Sequence, residues 1–526
     1  MVIKNQDNSA NPHSFAPQRA LACGLRLAVL CGLSLILGAS NNAQAQDAWH
    51  LTAYRVYAPV IFEPGPAMTE SVRSRLMRDL SEQCDNVLGA IWDLEVATAD
   101  SRWQLAAASA DHEADRDELI RLVLELQSER SAAGIVDPID KVFLIRVSRP
   151  VEGWRLVIQE LDVATRILGH VYVKDVAQSE VLSHEAFHTI LQAFAPLARI
   201  EDSDDTDDVR IGLRAGGLPV RDANLRFTTP GDLFVPVIRQ NNRDGTPRGI
   251  RAVPWTYLQV KVPEPEEPAE GEDGQPVVAA QPPTEETLED SPILTTEVFT
   301  ALQSAFSKRR RGREEKYALA VHVPYSETTF RAMDRNDATH ALSGYEVISY
   351  TPDSPITTRL GTTNALGELT IRKNASPLHL LLVRSGSRML ARLPIVPGSE
   401  QVAQIELVND RERLEMEGYI TGIQEEMVGV FTQREVLIRL INTKLDDKEV
   451  EEAQELMEKL QQLPTARSFR SRLSGRRSGF FTGDQYAAIH INKMFDDTER
   501  VLDRFFTTAP ISELQRRLEN AAPGTN

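Results

Sequence analysis

The chain has 526 residues, 42% of them hydrophobic and 25% charged, and carries a formal net charge of −18. That length is too great for one hydrophobic core and implies about three or four domains. The composition excludes a chain that is disordered throughout or membrane-embedded, and the acidic balance argues against nucleic-acid binding, which needs a basic surface.

Residues 1–45 read as a signal peptide rather than as fold material. Arg19 and Arg26 precede the apolar run Leu27 to Gly38, and Ala43-Gln44-Ala45 gives the small-x-small pattern of a cleavage site. The run is 12 residues long, against roughly 20 needed to span a bilayer, so no stable transmembrane span is expected after cleavage. The expectation is an exported bacterial protein: periplasmic, envelope-associated or extracellular. Removing the leader, with Lys4, Arg19 and Arg26 against Asp7, takes a net +2 from −18 and leaves −20. Of the three cysteines, Cys23 and Cys31 lie in the leader. Cys84 is then alone, and no intramolecular disulfide can form.

In chain order, Trp49 to Phe62 alternates as a strand, and Thr69 caps a helix with the stripe Val72, Leu76, Leu80, Cys84, Val87, Leu88 and Ile91. That spacing makes Cys84 a small buried hydrophobe rather than a nucleophile. Asp115 to Glu129 is a second helix. Lys141 to Ser148, Trp154 to Val163 and Leu168 to Val176 follow with short, turn-rich connections, which favours an antiparallel meander. The meander leads into a helix over Val181–Phe194, with Asp175 and Gln178 as a capping pair and Pro196 as the stop. Residues 47–200 therefore form an α+β domain, with its helices expected on one face of the sheet.

Residues 210–262 read as a small β module, expected to be SH3-like and completed by 293–303, because two strands alone would not hold. Between these, Pro263 to Pro292 is dense in Pro and Glu and too poor in apolar residues to offset its ordering entropy. It reads as a disordered acidic linker or long inserted loop. Residues 315–407 carry seven short extended segments at the turn spacing of a β-sandwich. Within them Gly344 precedes a strand, and Thr362-Thr363-Asn364 with Gly367 leads into Glu368-Leu369-Thr370-Ile371. Asn364 and Gly367 suit a tight turn. This stretch resembles the carboxypeptidase regulatory-like, or transthyretin-like, sandwich family, and the resemblance implies a binding or spacing module.

From Asn409 to about 508 the pattern is helical, with segments over 409–445, 446–463 and 484–506 and a polar, frayed tail at 509–526. These helices make a hairpin or small bundle through which the chain could self-associate. The fold class is thus multi-domain α+β: an α+β head, an SH3-like module, a transthyretin-like sandwich and a helical C-terminal region.

Chemistry concentrates in one motif. His184, Glu185 and His188 spell H-E-x-x-H, whose i, i+4 spacing puts both imidazoles on one helix face, where zinc hydrolases hold Zn²⁺ while the Glu polarises its water. The metzincin continuation is absent, since Leu191 and Phe194 stand where Gly and His are needed. Glu201 is the nearest third ligand, and it would have to return along a taut strand. The histidines also flank the stripe Leu182, Phe187, Ile190, Leu191 and Phe194, a common position for packing histidines. The acidic run Glu201 to Asp208 lacks the EF-hand glycine and reads as a solvated loop. The basic runs Lys308 to Arg313 and Arg467 to Arg477 read as surface turns, with anionic wall polymer or lipid headgroups as the less favoured contact. The favoured reading is a non-enzymatic envelope protein without cofactor that binds a protein or cell-wall polymer. The alternatives are a secreted zinc metallopeptidase using His184, His188 and Glu201 as ligands with Glu185 as base, and a carbohydrate-binding accessory protein.

Overall fold

A computed structural model describes residues 49–107, 114–135, 137–201, 208–222, 224–243, 246–261, 292–306, 313–482 and 484–521. The leader, the acidic linker apart from Pro292, most of the run after Glu201 and most of the first basic run lie outside the described residues. The chain divides into two compact units, residues 1–322 and 323–526.

The first unit begins with a five-stranded sheet. Strand β1 (Tyr54–Phe62) is followed by helix α1 (Glu70–Val87), β2 (Trp92–Thr98), α2 (Ser101–Ala106) and α3 (Arg116–Ala132). Then come β3 (Lys141–Ser148), β4 (Trp154–Asp162), β5 (Ile167–Val176) and α4 (Leu182–Ala193). The order is β2-β1-β3-β4-β5, with β1 parallel to both neighbours and β3-β4-β5 an antiparallel meander. This order explains a departure from the one-face expectation. The crossover from β1 steps to one side and the crossover from β2 steps back past it. Right-handed connections in opposite directions put their helices on opposite faces. Accordingly α1 and α4 cover one face through Leu76, Leu80, Cys84, Phe187 and Ile190, while α2 and α3 cover the other through Trp103, Leu119 and Leu122. With both faces covered, β1 is buried along nearly its whole length. Thr69 caps α1 by accepting from the Val72 N–H, and Cys84 packs inside, its thiol pushed up to about 12 by burial.

The small β module is larger than the sequence indicated. Strands β6 (Leu197–Ile200), β7 (Asp208–Leu213), β8 (Leu233–Asn241), β9 (Pro247–Ala252), β10 (Thr256–Val260), β11 (Ile293–Thr300) and β12 (Glu314–Ala320) run in the order β10-β11-β7-β6-β12-β8-β9. A β10–β8 pairing closes six of them into a barrel, leaving β9 as an extra strand on β8. Closure removes exposed strand edges and gives these short strands a core of Ala198, Ile200, Val209, Ile211, Phe234, Leu258, Val260 and Ala318. Leu197, Val237, Tyr317 and Leu319 point instead into the core shared with α1 and α4. Barrel and head are therefore one continuous packing.

In the second unit, β13 (Glu327–Asp334), β14 (Asp337–Ala341), β17 (Glu368–Arg372) and β20 (Val402–Leu407) form one four-stranded sheet. Strands β15 (Glu346–Thr351), β16 (Ser354–Thr362), β18 (His379–Ser385) and β19 (Arg388–Ile395) form another. Phe330, Ala332, Ile371 and Ala403 of the first, and Val347, Leu381, Val383 and Leu393 of the second, are buried. At the β16–β17 turn, Asn364 Oδ1 accepts from the N–H groups of Leu366 and Glu368, and Gly367 takes φ +72°.

Helix α5 (Arg411–Asp446) is anchored to these sheets at its start. Arg413 donates to Asp410 and to the Ser385 carbonyl, and Arg388 also pairs with Asp410. Around it lie α6 (Val450–Gln462), α7 (Ala466–Ser478), α8 (Gln485–Phe505) and α9 (Ala509–Ala521). Two sequence expectations are corrected here. The basic run Arg467 to Arg477 is helix, not turn, with Phe469 and Leu473 buried and Arg472 paired to Glu426. The segment after Thr508 is a helix rather than a frayed tail, held by buried Leu514.

Candidate functional site

Helix α4 displays the H-E-x-x-H residues. It starts from a 3₁₀ turn at Ser179–Val181, without the Asp175–Gln178 capping pair; Asp175 instead accepts from Arg155 at 2.7 Å. Leu182, Ala186, Phe187, Ile190 and Ala193 face the core. His184 and His188 face solvent, their rings 4.3 Å apart and nearly perpendicular. Glu185 is half-buried, and its carboxylate lies 3.1 Å from Lys174 Nζ on β5.

Glu201 does not join them. After the helix, Leu197–Ile200 enters the barrel as β6, paired with β7 and β12. Glu201 continues that strand, its N–H donating to the Arg210 carbonyl and its carboxylate 3.8 Å from Arg210 Nε. Among the described residues no group of three or more His, Cys, Asp or Glu side chains could hold a metal ion. The arrangement offers two open imidazoles and a carboxylate already engaged by a lysine.

The strongest electrostatic feature was missed by the sequence reading. Lys141, fully buried at the start of β3, donates to Glu160 Oε1 at 2.5 Å and to the Ala195 carbonyl at 2.5 Å, and lies 2.8 Å from Asp162 Oδ2. Glu160 Oε2 accepts from the Ala195 N–H at 2.7 Å, and Asp162 accepts from the backbone and hydroxyl of Thr165. Beside them Arg214 pairs with buried Asp140 at 2.7 Å, and Asp140 also accepts from the Arg55 N–H. Arg214 stacks over Trp49 and Tyr54, and the Tyr54 hydroxyl bonds the Leu197 backbone. Strands β1, β3 and β4, the chain leaving α4, and the residue after β7 are thereby tied together where head meets barrel.

Two cations here face three carboxylates, and burial disfavours the surplus charge. Burial pushes Glu160 up to about 7 and Asp140 up to about 6, while burial and Lys141 together depress His322. Glu160 therefore keeps, in the folded chain, a proton that the unfolded chain sheds near 4.5. The unfolded state binds fewer protons over that interval, so this contribution is complete below pH 4.5 and is lost as pH rises through 7. His322 acts in the opposite sense, so the informative comparison is with Glu160→Gln, which cannot titrate. The wild-type melting temperature is expected to fall between pH 5 and pH 8 more steeply than that of the variant. Parallel profiles would show that Glu160 does not titrate there.

The described residues define a multi-domain protein of mixed α+β content with several sheets and a C-terminal helical region. None of their helices is long and apolar enough to cross a membrane. No family model matches the chain, and no curated protein matches it. Among solved structures it is similar to TolB from Acinetobacter baumannii, at 12% identity over 68% of this chain and 96% of that one, with a TM-score of 0.17. It is also similar to the Bacillus anthracis TIE protein, at 10% identity over 44% of this chain and 45% of that one, with a TM-score of 0.14. The major pilin subunit BcpA of Bacillus cereus matches at 9% identity over 51% of this chain and 71% of that one, with a TM-score of 0.13. Likeness at this level carries no argument about fold or function.

Proposed function

We propose that this chain is an exported, non-catalytic binding and scaffolding protein of a bacterial envelope, with a protein or wall polymer as partner. The observation that supports this most is the state of Glu185. A zinc hydrolase needs that carboxylate free to take a proton from metal-bound water, and needs a third protein ligand to close the coordination sphere. Here Glu185 sits 3.1 Å from Lys174 and Glu201 is committed to the barrel beside Arg210. The leader pattern supports export. The resemblance of 342–372 to transthyretin-like modules, with its Asn364–Gly367 turn, supports a binding or spacing role for the sandwich.

Zinc content of the purified protein, measured by mass spectrometry for wild type and His188→Ala, tests this reading. It predicts less than one zinc per chain after dialysis in both. One tightly held equivalent, lost on substitution, would favour the metallopeptidase instead.

A further inference from the structure

Helix α5 is the spine of the C-terminal bundle, and its buried positions are Met416, Ile420, Ile423, Met427, Val430, Arg434 and Ile441, besides Arg413 at its anchored start. Arg434 thus occupies a core position in a stripe that is otherwise apolar. It marks the seam between two packing groups. The first half of α5 packs with α7 and α8 around Phe469 and Phe495, and the second half with α6 and α9 around Met457 and Leu514. At the seam, where the α6–α7 and α8–α9 connections pass, lies a cleft of about 370 Å³. That is at the small end of the range, about 300–1,000 Å³, in which proteins hold small ligands.

Arg434 lines the cleft and is 7% exposed as a residue. It donates to the Thr507 carbonyl at 3.1 Å and lies over the Phe506 ring at 5.0 Å. No carboxylate among the described residues forms an ion pair with it; Glu435, next in the chain, acts on it only through its field. A guanidinium has five N–H donors, and burying one without a counterion is costly. Three further features have the same sign. Arg467 stands at the rim with no ion pair among the described residues, and Arg470, paired with Asp503, stands beside it. The first turn of the thirteen-residue helix α7 borders the cleft at Ala466, and helix N-termini favour anions. Among the described residues no acidic side chain lines the space, whereas Leu463, Phe506 and Ile511 give it apolar walls.

We propose that this cleft binds a carboxylate carried on an apolar chain, of the fatty-acid class, with its head on Arg434 and its tail against Leu463, Phe506 and Ile511. The charge supplied by the ligand completes the buried guanidinium, and the tail fills space that the two packing groups leave open. This site does not depend on whether α4 is catalytic.

Calorimetric titration of the full chain with decanoate, decanol and inorganic phosphate tests the assignment. Decanoate is expected to bind one per chain, decanol at least about tenfold more weakly, and phosphate is expected not to compete. Arg434→Met is expected to lower decanoate affinity at least about tenfold while leaving decanol unchanged. Should that variant not fold, Arg467→Asp with Arg470→Asp, both exposed, is expected to weaken decanoate alone. The proposal is overturned by no decanoate binding to wild type, by equal affinity for decanol, by competition from phosphate, or by unchanged decanoate affinity in the folded variants.

Discussion

Lys141→Met should lower the stability of the 1–322 unit by about 3–5 kcal/mol, the cost of leaving buried carboxylates without their cation. The mechanism is the loss of the ammonium between Glu160 and Asp162, both nearly inaccessible to solvent, together with a donor to the Ala195 carbonyl. Methionine preserves most of the volume, so cavity formation contributes little. If charge is the cause, adding Glu160→Gln and Asp162→Asn to Lys141→Met should restore a large part of the loss, because neutral amides do not require a counterion. All five tryptophans, Trp49, Trp92, Trp103, Trp154 and Trp255, lie in residues 1–322. Tryptophan emission during urea unfolding therefore reads this unit alone, which matters because a chain of two units need not unfold in one step. A loss below about 1 kcal/mol would mean that water already reaches the cluster.

Gly367→Ala should destabilise the sandwich by about 2–4 kcal/mol, from a backbone conformation that L residues adopt at a cost and a direct clash. Gly367 has φ +72°, and a Cβ there would stand 2.4 Å from the Ala332 carbonyl oxygen and 3.2 Å from the Leu342 nitrogen. Both are backbone atoms, and Ala332 sits in the middle of β13, so neither can swing aside as a side chain would. The same carbonyl accepts the Leu342 N–H at 2.9 Å, and the Gly367 carbonyl accepts the Ala332 N–H. Relief of the clash would thus loosen the β13–β14 hairpin. Gly249→Ala, where the space is open, is the control and should be nearly neutral. Differential scanning calorimetry of both variants reads the effect; equal curves for Gly367→Ala and wild type would contradict it.

What could be read from the sequence follows the range of the interactions. The meander over 141–176 was legible because period-2 alternation and short turns are local signals, and the motif helix because its core stripe repeats at helical spacing. The strand Trp92–Thr98 carries no local signal of that kind. It is an edge strand with alternating partial exposure, and its parallel pairing with β1 is invisible without the crossover. Arginines hid α7, since its two buried residues, Phe469 and Leu473, are few among them. Pro510 does not end the helical region, because proline is well tolerated in the first turn of a helix, which is where it stands in α9.

The site was legible as a pattern and not as an environment. His184 and His188 fall on one side, as spacing requires, but stand exposed rather than packing beside the core stripe, and the Lys174–Glu185 contact and the departure of Glu201 into a barrel strand are likewise tertiary facts. The buried cluster did leave a signal. Glu160 and Asp162 continue the period-2 register of Leu156 and Ile158, and Lys141 that of Phe143 and Ile145, all on the same core face. Charges of opposite sign in the core register of two adjacent strands mark a buried pair. Arg434, in register with Val430 and Ile441, is the helical counterpart.

The claim on which the functional reading rests is that α4 carries no catalytic centre. Its most direct test is peptide-bond hydrolysis by the purified chain, supplied with one equivalent of zinc and a quenched-fluorescence peptide mixture, beside Glu185→Gln. The account predicts no rate above buffer for either protein. A wild-type rate that Glu185→Gln abolishes, with zinc still bound, would contradict it.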